Sequence, residues 1–219
     1  MSMIVDLSHR LEPGMPSYPG LPEPKFEVFL SHSDRAKQAR YAPGTSFQIA
    51  CYELGGNTGT YLDAPFHRYP NGLDLADLPL DRMADLPGVV VPAPEDGPIE
   101  ARVFASLALR GKAVLLHTGW AKRWNANDYF RSGPYLAAAA SEHLVHSGAA
   151  LVGIDCANLD DMNDPARPAH TILLEAGIPV VEHLRGLEEL HGRRFRFFAV
   201  PPAIRGGTSF PVRALAVSE

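Results

Sequence analysis

Alternating apolar and polar positions predict several strands in the first half of the chain. Apolar side chains recur at every second position in residues 25–30 and 45–54, which is typical of strands with one buried face. Residues 88–91 and 112–118 are instead rich in leucine and β-branched residues, a composition that suits strands buried on both faces. Residues 3–7 add a short apolar segment that we expect to form an opening strand.

Helical patterns are found only in the second half. Pro134 is well placed in the first turn of a helix, which the alanine-rich segment 135–146 continues as far as Gly148. Pro168 opens a second helix over residues 169–176. Strands are expected around these helices at residues 149–155, 179–182, 194–200 and 212–217, with a helical turn at 187–190. Strands outnumber helices, which favours an α/β or α+β domain with a mixed sheet.

Two loops differ from the rest of the chain in composition. Residues 13–24 hold five prolines around Tyr18, so we expect an extended loop that cannot donate to a β ladder. Residues 156–167 form a polar loop that contains Asp160 and two further aspartates. These aspartates lack the spacing of an EF-hand, and we expect them to be solvated or to cap a turn or helix.

Size and charge narrow the class of protein. The chain has 219 residues, of which 46% are apolar, enough for one domain with a sizeable core. Its formal net charge of −5 and the lack of a long basic run argue against nucleic-acid and anionic-membrane partners. No apolar window is long enough to span a bilayer and the N-terminus lacks the regions of a signal peptide, so we expect a soluble, cytoplasmic protein. Cys51 and Cys156 make no disulfide framework and are expected to be buried thiols.

Candidate chemistry is concentrated in residues 55–67, which combine glycines, a proline, an aspartate and a histidine. Glycine lets the backbone approach a ligand closely, and proline fixes the direction of the chain. Asp63 and His67 are four residues apart on this frame, and a carboxylate with an imidazole suits a metal site or an acid/base site. The alternative is that Asp63 caps a turn and His67 makes one satisfied hydrogen bond. The spacing alone leaves both interpretations open.

Two later residues could complete such a site. His170 lies in the first turn of the second predicted helix, where the helix dipole favours a neutral ring that can bind metal. The alternative is a capped surface histidine. Glu182 follows two valines in a predicted strand, and a buried glutamate needs a cation or a hydrogen-bond donor. The alternative is a salt bridge between Glu182 and Arg185.

The segment of residues 57–67 resembles a family motif. It reads Asn-Thr-Gly-Thr-Tyr-Leu-Asp-Ala-Pro-Phe-His, on the frame His-x-Gly-Thr-His-x-Asp-x-Pro-x-His of the cyclase family of metal-dependent hydrolases. That family includes bacterial kynurenine formamidases and isatin hydrolases. The resemblance runs nearly end to end, through Asp6-Leu7-Ser8, residues 15–20, Thr118-Gly119-Trp120, Gly153-Ile154-Asp155, His170, Glu182 and Pro201-Pro202.

The resemblance implies a fold and a set of roles. The expected fold is an α/β domain of the swivelling β/β/α type that spans residues 1–219. The expected assembly is a homodimer or homotetramer, with residues 1–30 as an extended arm at the interface. Asp63, His170 and Glu182 would hold metal, and His67 would act as the acid/base.

The resemblance also has a gap, because Asn57 and Tyr61 stand where the family motif has two metal-binding histidines. Zinc favours imidazole, so the loss of two imidazoles makes Mn²⁺ or Mg²⁺ more plausible than Zn²⁺ for one divalent site. Binding of no metal at all stays open. Tyr61 is a poor ligand at its ordinary pKa of ~10 and could instead direct its hydroxyl at substrate or at Asp63.

These observations predict a metal-dependent hydrolase of an amide or cyclic amide. The best-known activity of the family would convert N-formylkynurenine to kynurenine and formate in tryptophan catabolism. Asn57 or Tyr61 would donate to the oxyanion. By position in the resemblance alone, candidates for an aromatic wall are Tyr18, Tyr61, Phe66 and Trp120, and each could equally be a core-packing residue. One alternative is a degenerate family member that binds a small molecule without hydrolysing it. Another is a metal-free enzyme that uses Asp63 and His67 alone.

Overall fold

A nine-stranded mixed sheet forms the centre of the computed structural model, which describes residues 3–131 and 133–218. The strands in these ranges are β1 (Met3–Asp6), β2 (Lys25–Leu30), β3 (Ile49–Glu53), β4 (Tyr61–Asp63), β5 (Leu86–Pro92), β6 (Pro98–Ile99), β7 (Ala113–His117), β8 (Tyr135–Leu136), β9 (Leu151–Ile154), β10 (Val180–Glu182), β11 (Phe195–Phe198), β12 (Ser209–Pro211) and β13 (Leu215–Ser218). The α-helices are α1 (Arg35–Gln38), α2 (Ala138–His146) and α3 (Pro168–Glu175), with short 3₁₀ helices at Pro65–His67, Leu80–Arg82, Ala101–Phe104, Trp120–Arg123 and Leu187–Leu190. No helix within the two described ranges has the apolar length that crossing a bilayer requires.

The main sheet has the strand order β1-β13-β11-β5-β7-β9-β10-β4-β12, and within it parallel pairing is found only in the middle. The strands β5, β7, β9 and β10 pair in parallel, and the strands on either side of them pair antiparallel. Parallel neighbours need a crossover, which α2 supplies between β7 and β9 and α3 supplies between β9 and β10. The predicted α/β class with a mixed sheet is confirmed.

Both faces of the central strands are buried. On β7, Leu115 packs in one apolar cluster while Val114 and Leu116 pack in a second, because successive side chains of a strand point to opposite faces. Leu144 of α2 and Leu173 of α3 belong to the second cluster, so these helices cover that face. Burial on both faces explains why β7 is a continuous apolar run in the sequence.

A hairpin arm (residues 25–53) lies outside the main sheet. Its strands β2 and β3 pair with each other, where alternation predicts strands. The expected burial of one face was wrong, because four large side chains of the arm are exposed: Val28 55%, Phe29 61%, Ile49 44% and Tyr52 66%. Cys51 is exposed on β3 as well, so only Cys156 is the buried thiol that we expected. The alternation belongs to a two-stranded hairpin that lies apart from the core.

The start of α2 differs from the prediction. Tyr135 and Leu136 form β8, which pairs in parallel with β6, and the helix begins at Ala138. The backbone N–H of Tyr135 donates to the carbonyl oxygen of Gly97 at 3.1 Å, an interaction across the two strands rather than along a helix. Pro134 therefore precedes a strand and not a first helical turn.

Three short strands were missed by the sequence patterns. β4, β6 and β12 contain two or three residues each, which is too short for alternation to be recognised. β4 lies between β10 and β12 in the sheet. This position matters because β4, β10 and β12 all carry residues of the candidate site.

Candidate metal centre

Three buried side chains from distant parts of the chain converge. His170 Nε2 lies 3.5 Å from Asp63 Oδ2 and 3.5 Å from Glu182 Oε1. One ligand atom of each residue lies within 4.8 Å of the others, which is the spacing of groups that share one cation. The structure therefore brings together the three residues that the resemblance suggested as metal ligands.

Sheet register explains how two of these side chains meet. β4 and β10 are antiparallel, with Tyr61 opposite Glu182 and Asp63 opposite Val180. Residues two apart on a strand share a face, and directly paired residues project to the same side. Asp63 and Glu182 therefore project to one side of the sheet, the side covered by α3, and α3 supplies His170 from its first turn.

The ring of His170 is oriented by Asp160. Nδ1 of His170 donates to Asp160 Oδ2 at 2.6 Å, so Nε2 is the nitrogen that faces the two carboxylates. Asp160 also accepts from the backbone N–H groups of Ala169 at 2.6 Å and His170 at 3.1 Å, and thus caps α3. An imidazole held by a carboxylate in this way is the usual arrangement around protein-bound metals. We expected Asp160 to be solvated or capping, and it is a capping residue that is buried.

Burial and neighbouring charges shift the pKa values of the site residues. Burial raises the pKa of Glu182 to about 7, with His170 opposing the shift and Asp63 adding to it. Burial disfavours the imidazolium of His170, but the carboxylates of Glu182, Asp160 and Asp63 outweigh it and raise the pKa of the ring well above its ordinary value. Without a cation, the cluster therefore holds protons at neutral pH that a metal would have to displace.

One oxygen of the cluster has no hydrogen-bond donor. Oδ2 of Asp63 is buried without a hydrogen bond, whereas Oδ1 accepts from Ser209 Oγ and, at 3.4 Å, from Asn57 Nδ2. A buried carboxylate oxygen without a donor is costly unless a cation faces it. Two carboxylates and one imidazole form a donor set that suits Mn²⁺, Mg²⁺ or Zn²⁺. The residues present fit a single divalent ion.

Asn57 and Tyr61 donate hydrogen bonds to the site. The Tyr61 hydroxyl donates to Glu182 Oε2, and not to Asp63. Burial, followed by the charges of Glu182 and Asp63, raises the pKa of Tyr61 well above its ordinary value, which keeps the phenol protonated. Because Asn57 Nδ2 donates to Asp63, both positions present hydrogens to the carboxylates.

His67 lies at the edge of this cluster with its side chain 36% exposed. Its Nδ1 lies 3.1 Å from Ser209 Oγ and 3.6 Å from Asp63 Oδ1. The other ring nitrogen, Nε2, has no hydrogen-bond partner among the described residues. His67 is therefore anchored through Nδ1 while Nε2 stays free for proton transfer.

Ser209 is a site residue that the sequence reasoning missed. It reaches Asp63 because β12 pairs with β4 in a register that sets Ser209 opposite Asp63. The backbone of Gly56 also approaches β12 closely, since a Cβ there would lie 2.6 Å from the Ser209 carbonyl oxygen. The available signal was the repeated Gly-Thr-Ser-Phe at residues 44–47 and 207–210, which is too short to count as a repeat.

A cavity of about 300 Å³ opens over the cluster. Its floor contains Asp63, His170 and Glu182, and its wall includes Asn57, Tyr61 and His67. Tyr18, from the proline-rich loop, also lines it.

Two of the aromatic candidates lie elsewhere. Trp120 is not in the cavity, because its Nε1 donates to the Tyr129 carbonyl oxygen at 3.1 Å and its ring packs under Arg123. Phe66 is not part of the cavity wall either. The aromatic wall that the sequence suggested is thus reduced to Tyr18 and Tyr61.

The sequence profile of the family described as "Putative cyclase" matches residues 5–161. This chain belongs to the cyclase family. The match covers the segment of residues 57–67, and the resemblance inferred from that segment is confirmed.

Relatives and solved structures support the same assignment. The chain is 27% identical over 217 residues to a kynurenine formamidase of Paracidovorax citrulli, a match that covers 97% of this chain and 95% of the relative. Isatin hydrolase A from Labrenzia aggregata has the same fold, with a TM-score of 0.84 and 24% identity over 99% of this chain and 93% of that one. A protein described as a potential metal-dependent hydrolase with cyclase activity matches with a TM-score of 0.80 and 22% identity, over 100% of this chain and 99% of that one.

These matches place the chain among hydrolytic enzymes. The prediction that the protein is a hydrolase is therefore confirmed. The similarity to the two solved structures concerns the fold. The buried group of Asp63, His170 and Glu182 is a possible metal site. One of the two solved structures is described as a potential metal-dependent hydrolase.

We expect Asp160→Asn to weaken binding of Mn²⁺ or Zn²⁺ by about tenfold or more, because the variant loses the charge that orients and polarises His170. Isothermal titration of chelator-treated protein measures the effect. Asp161→Asn is a matched control, since Asp161 Oδ1 accepts from Asn163 and the asparagine can still do so. Equal affinities for the two variants would contradict the orienting role of Asp160.

We expect the metal affinity to rise between about pH 6 and about pH 8. Glu182, with a pKa of about 7, and His170, with a raised pKa, must both lose protons before they can bind a cation. The dissociation constant should fall by about tenfold per pH unit for each proton displaced. Titrations in two buffers of different ionisation enthalpy count the released protons. A constant affinity with no proton release would show that these two groups do not bind the metal.

Proposed function

We propose that this protein is a metal-dependent hydrolase of an aryl amide, similar to kynurenine formamidase, that forms kynurenine and formate from N-formylkynurenine and water. One observation supports the proposal above all others. Asp63, His170 and Glu182 face a common centre beside His67, in a cavity large enough for one substituted aromatic ring.

The proposed cofactor is one divalent cation held by Asp63, His170 and Glu182. Mn²⁺ or Mg²⁺ is favoured over Zn²⁺, because two of the three ligands are carboxylates. A second ion is not part of the proposal, since Asn57 and Tyr61 donate hydrogen bonds where the family motif has imidazoles. Once bound, the cation would polarise the amide carbonyl and lower the pKa of the attacking water.

His67 is the proposed general acid/base. Hydrolysis adds the oxygen of water to the carbonyl carbon, breaks the C–N bond and moves one proton to the leaving amine. Nε2 of His67 would accept the water proton and return it to the amine, while Ser209 and Asp63 hold the ring through Nδ1.

Asn57 is the better candidate for the oxyanion donor. Its amide nitrogen carries two hydrogens: one bonds to Asp63, and the side chain also hydrogen-bonds to the Tyr61 hydroxyl, which a substrate oxygen would replace as acceptor. The Tyr61 hydroxyl has one hydrogen, which Glu182 accepts. Tyr61 is thus proposed to hold Glu182 in position, with its ring and that of Tyr18 against the substrate.

We expect His67→Ala to lower kcat for N-formylkynurenine hydrolysis by about 10²–10⁴-fold with its metal content unchanged, because proton transfer is lost. The assay is a metal titration of wild type and variant with Mn²⁺, Mg²⁺ and Zn²⁺. His146→Ala is the control, since His146 is exposed on α2 and does not line the cavity. Unchanged turnover in the variant would remove the proposed role. A wild type that binds metal and substrate without turnover would favour the degenerate binding protein.

We further propose that the chain forms a homodimer or homotetramer through the hairpin arm. Val28, Phe29, Ile49 and Tyr52 leave an apolar surface exposed on a hairpin outside the core, and surfaces of this kind usually pack against a partner. The interface would include the end of the N-terminal segment of residues 1–30. The cytoplasmic location and the exclusion of nucleic acid and membranes stay predictions from the sequence.

We expect Phe29→Asp to shift the assembly toward the monomer, because a charge would be buried in the interface. Size-exclusion chromatography with light scattering at several protein concentrations measures the mass. Leu80→Asp is the matched control, since Leu80 is 65% exposed outside the arm. A wild type that is monomeric at all concentrations would contradict the proposal.

A further inference from the structure

We propose that Arg68 and Arg167 form a cationic rim on the cavity that selects substrates carrying a carboxylate. This inference rests on the proposed function, because it assigns a charge to the substrate of the same cavity. Among the described residues that line the cavity, these are the two arginines, and lysine is absent from the lining. The remaining lining residues outside the metal cluster are neutral side chains and His67.

Both arginines line the same cavity and lie on segments that contact each other. Arg68 follows His67 directly in the chain, and its Nη2 donates to the carbonyl oxygen of Ala166 at 3.3 Å. Ala166 immediately precedes Arg167. This contact joins the loop after β4 to the loop before α3, so both arginines flank the entrance beside the proposed acid/base.

Neither positive charge is neutralised within the described part of the chain. Arg167 donates to the backbone carbonyl oxygens of Asp161 at 3.0 Å and Met162 at 3.3 Å, which fix the guanidinium without pairing its charge. No carboxylate lies within 4.0 Å of the guanidinium of Arg68 or Arg167 among these residues. Arg213 on the surface, by contrast, pairs with Asp6 at 2.9 Å. Guanidinium groups with free charge bind carboxylates strongly and with fixed geometry.

The backbone at Arg167 is a second, independent observation. Its φ of 49° and ψ of 58° are left-handed, a conformation that disfavours residues other than glycine and asparagine. Arg167 is also the N-cap residue of α3, yet its side chain does not cap the helix, and Asp160 does so. The left-handed backbone and the hydrogen bonds to residues 161 and 162 together fix where the Arg167 side chain lies on the cavity lining.

Opposite charges at the floor and the rim set the orientation of the substrate. Asp63 and Glu182 at the floor would repel a carboxylate, while the cation that they are proposed to hold attracts a carbonyl oxygen. The amide would therefore enter first and the carboxylate would stay at Arg68 and Arg167. An acyclic amide with an anionic tail would place its carbonyl oxygen at the cation and its carboxylate at the two arginines. A small neutral lactam would leave the two arginines without a partner.

Matched compounds test this selectivity. The substrates are 3-(4-formamidophenyl)propanoate and its primary amide, which have the same shape and differ in charge. We expect kcat/KM of the wild type to favour the carboxylate by about 10- to 100-fold, and the ratio to approach one in Arg68→Gln/Arg167→Gln. Arg167→Lys should keep part of the preference, and Arg102→Gln, an exposed arginine outside the cavity, should keep the wild-type ratio.

A binding measurement separates this inference from the proposed function. Isothermal titration with the products, 3-(4-aminophenyl)propanoate and its amide, needs no turnover. We expect the carboxylate to bind more tightly than the amide, and this preference to weaken with salt and to disappear in the double variant. That result supports the rim even if neither substrate is hydrolysed and the hydrolase proposal fails. Equal binding and equal kcat/KM for the charged and neutral compounds in the wild type would overturn the rim, while hydrolysis of both would leave the hydrolase proposal standing.

Discussion

The burial of two carboxylates against one imidazole is the constraint on which the candidate site depends. Asp63 and Glu182 are almost fully buried, and like charges so close together are unfavourable in an interior of low dielectric constant. His170 lies 3.5 Å from both and is the first group to offset this repulsion. The raised pKa values of His170 and Glu182 show that protons also help to balance the charge. A divalent cation would do so more completely, and it would give the orphan Oδ2 of Asp63 a partner.

Surrounding structure holds this unfavourable arrangement in place. Asp160 fixes His170 from the side away from the carboxylates and caps α3 at the same time. Glu182 accepts from the backbone N–H of Leu159 at 2.5 Å and from Tyr61. All three partners are buried, and Leu159 packs in the second apolar cluster, so the surroundings of the carboxylates are closely packed. This is the preorganisation that catalysis by electrostatics requires.

Asn57 and Tyr61 stand where the family motif has two histidines. They give the site a different chemistry, but polar side chains still occupy both positions. The asparagine amide donates to Asp63 Oδ1 and the phenol donates to Glu182 Oε2, so both positions supply hydrogens to the carboxylates. In the proposed function, a carboxylate-rich set of ligands would hold one ion, and the Asn57 amide would donate to the substrate. The proposed rim at Arg68 and Arg167 would complement a single ion at the floor, because it would select the charge of the substrate at the entrance.

The sequence by itself determined much of the framework. Period-two alternation and turn residues located most of the longer strands and α3, because these signals are local and repeat over several residues. The frame of residues 57–67 identified Asp63 and His67 as candidates, and the apolar context of Glu182 indicated that it is buried.

Only the tertiary structure decided which polar groups meet. Ser209 contacts Asp63 through a sheet register between segments that are 146 residues apart, and Asp160 orients His170 from a loop whose sequence looks solvated. The two- and three-residue strands β4, β6 and β12 pair with neighbours that are equally short, so their hydrogen bonds form only where the fold brings the strands together, and no local pattern encodes them. The same holds for the direction of the Tyr61 hydroxyl, which pairing with β10 sets toward Glu182. These contacts join residues that are far apart in the sequence and form only when the whole chain folds around its core. A local sequence pattern therefore does not encode them.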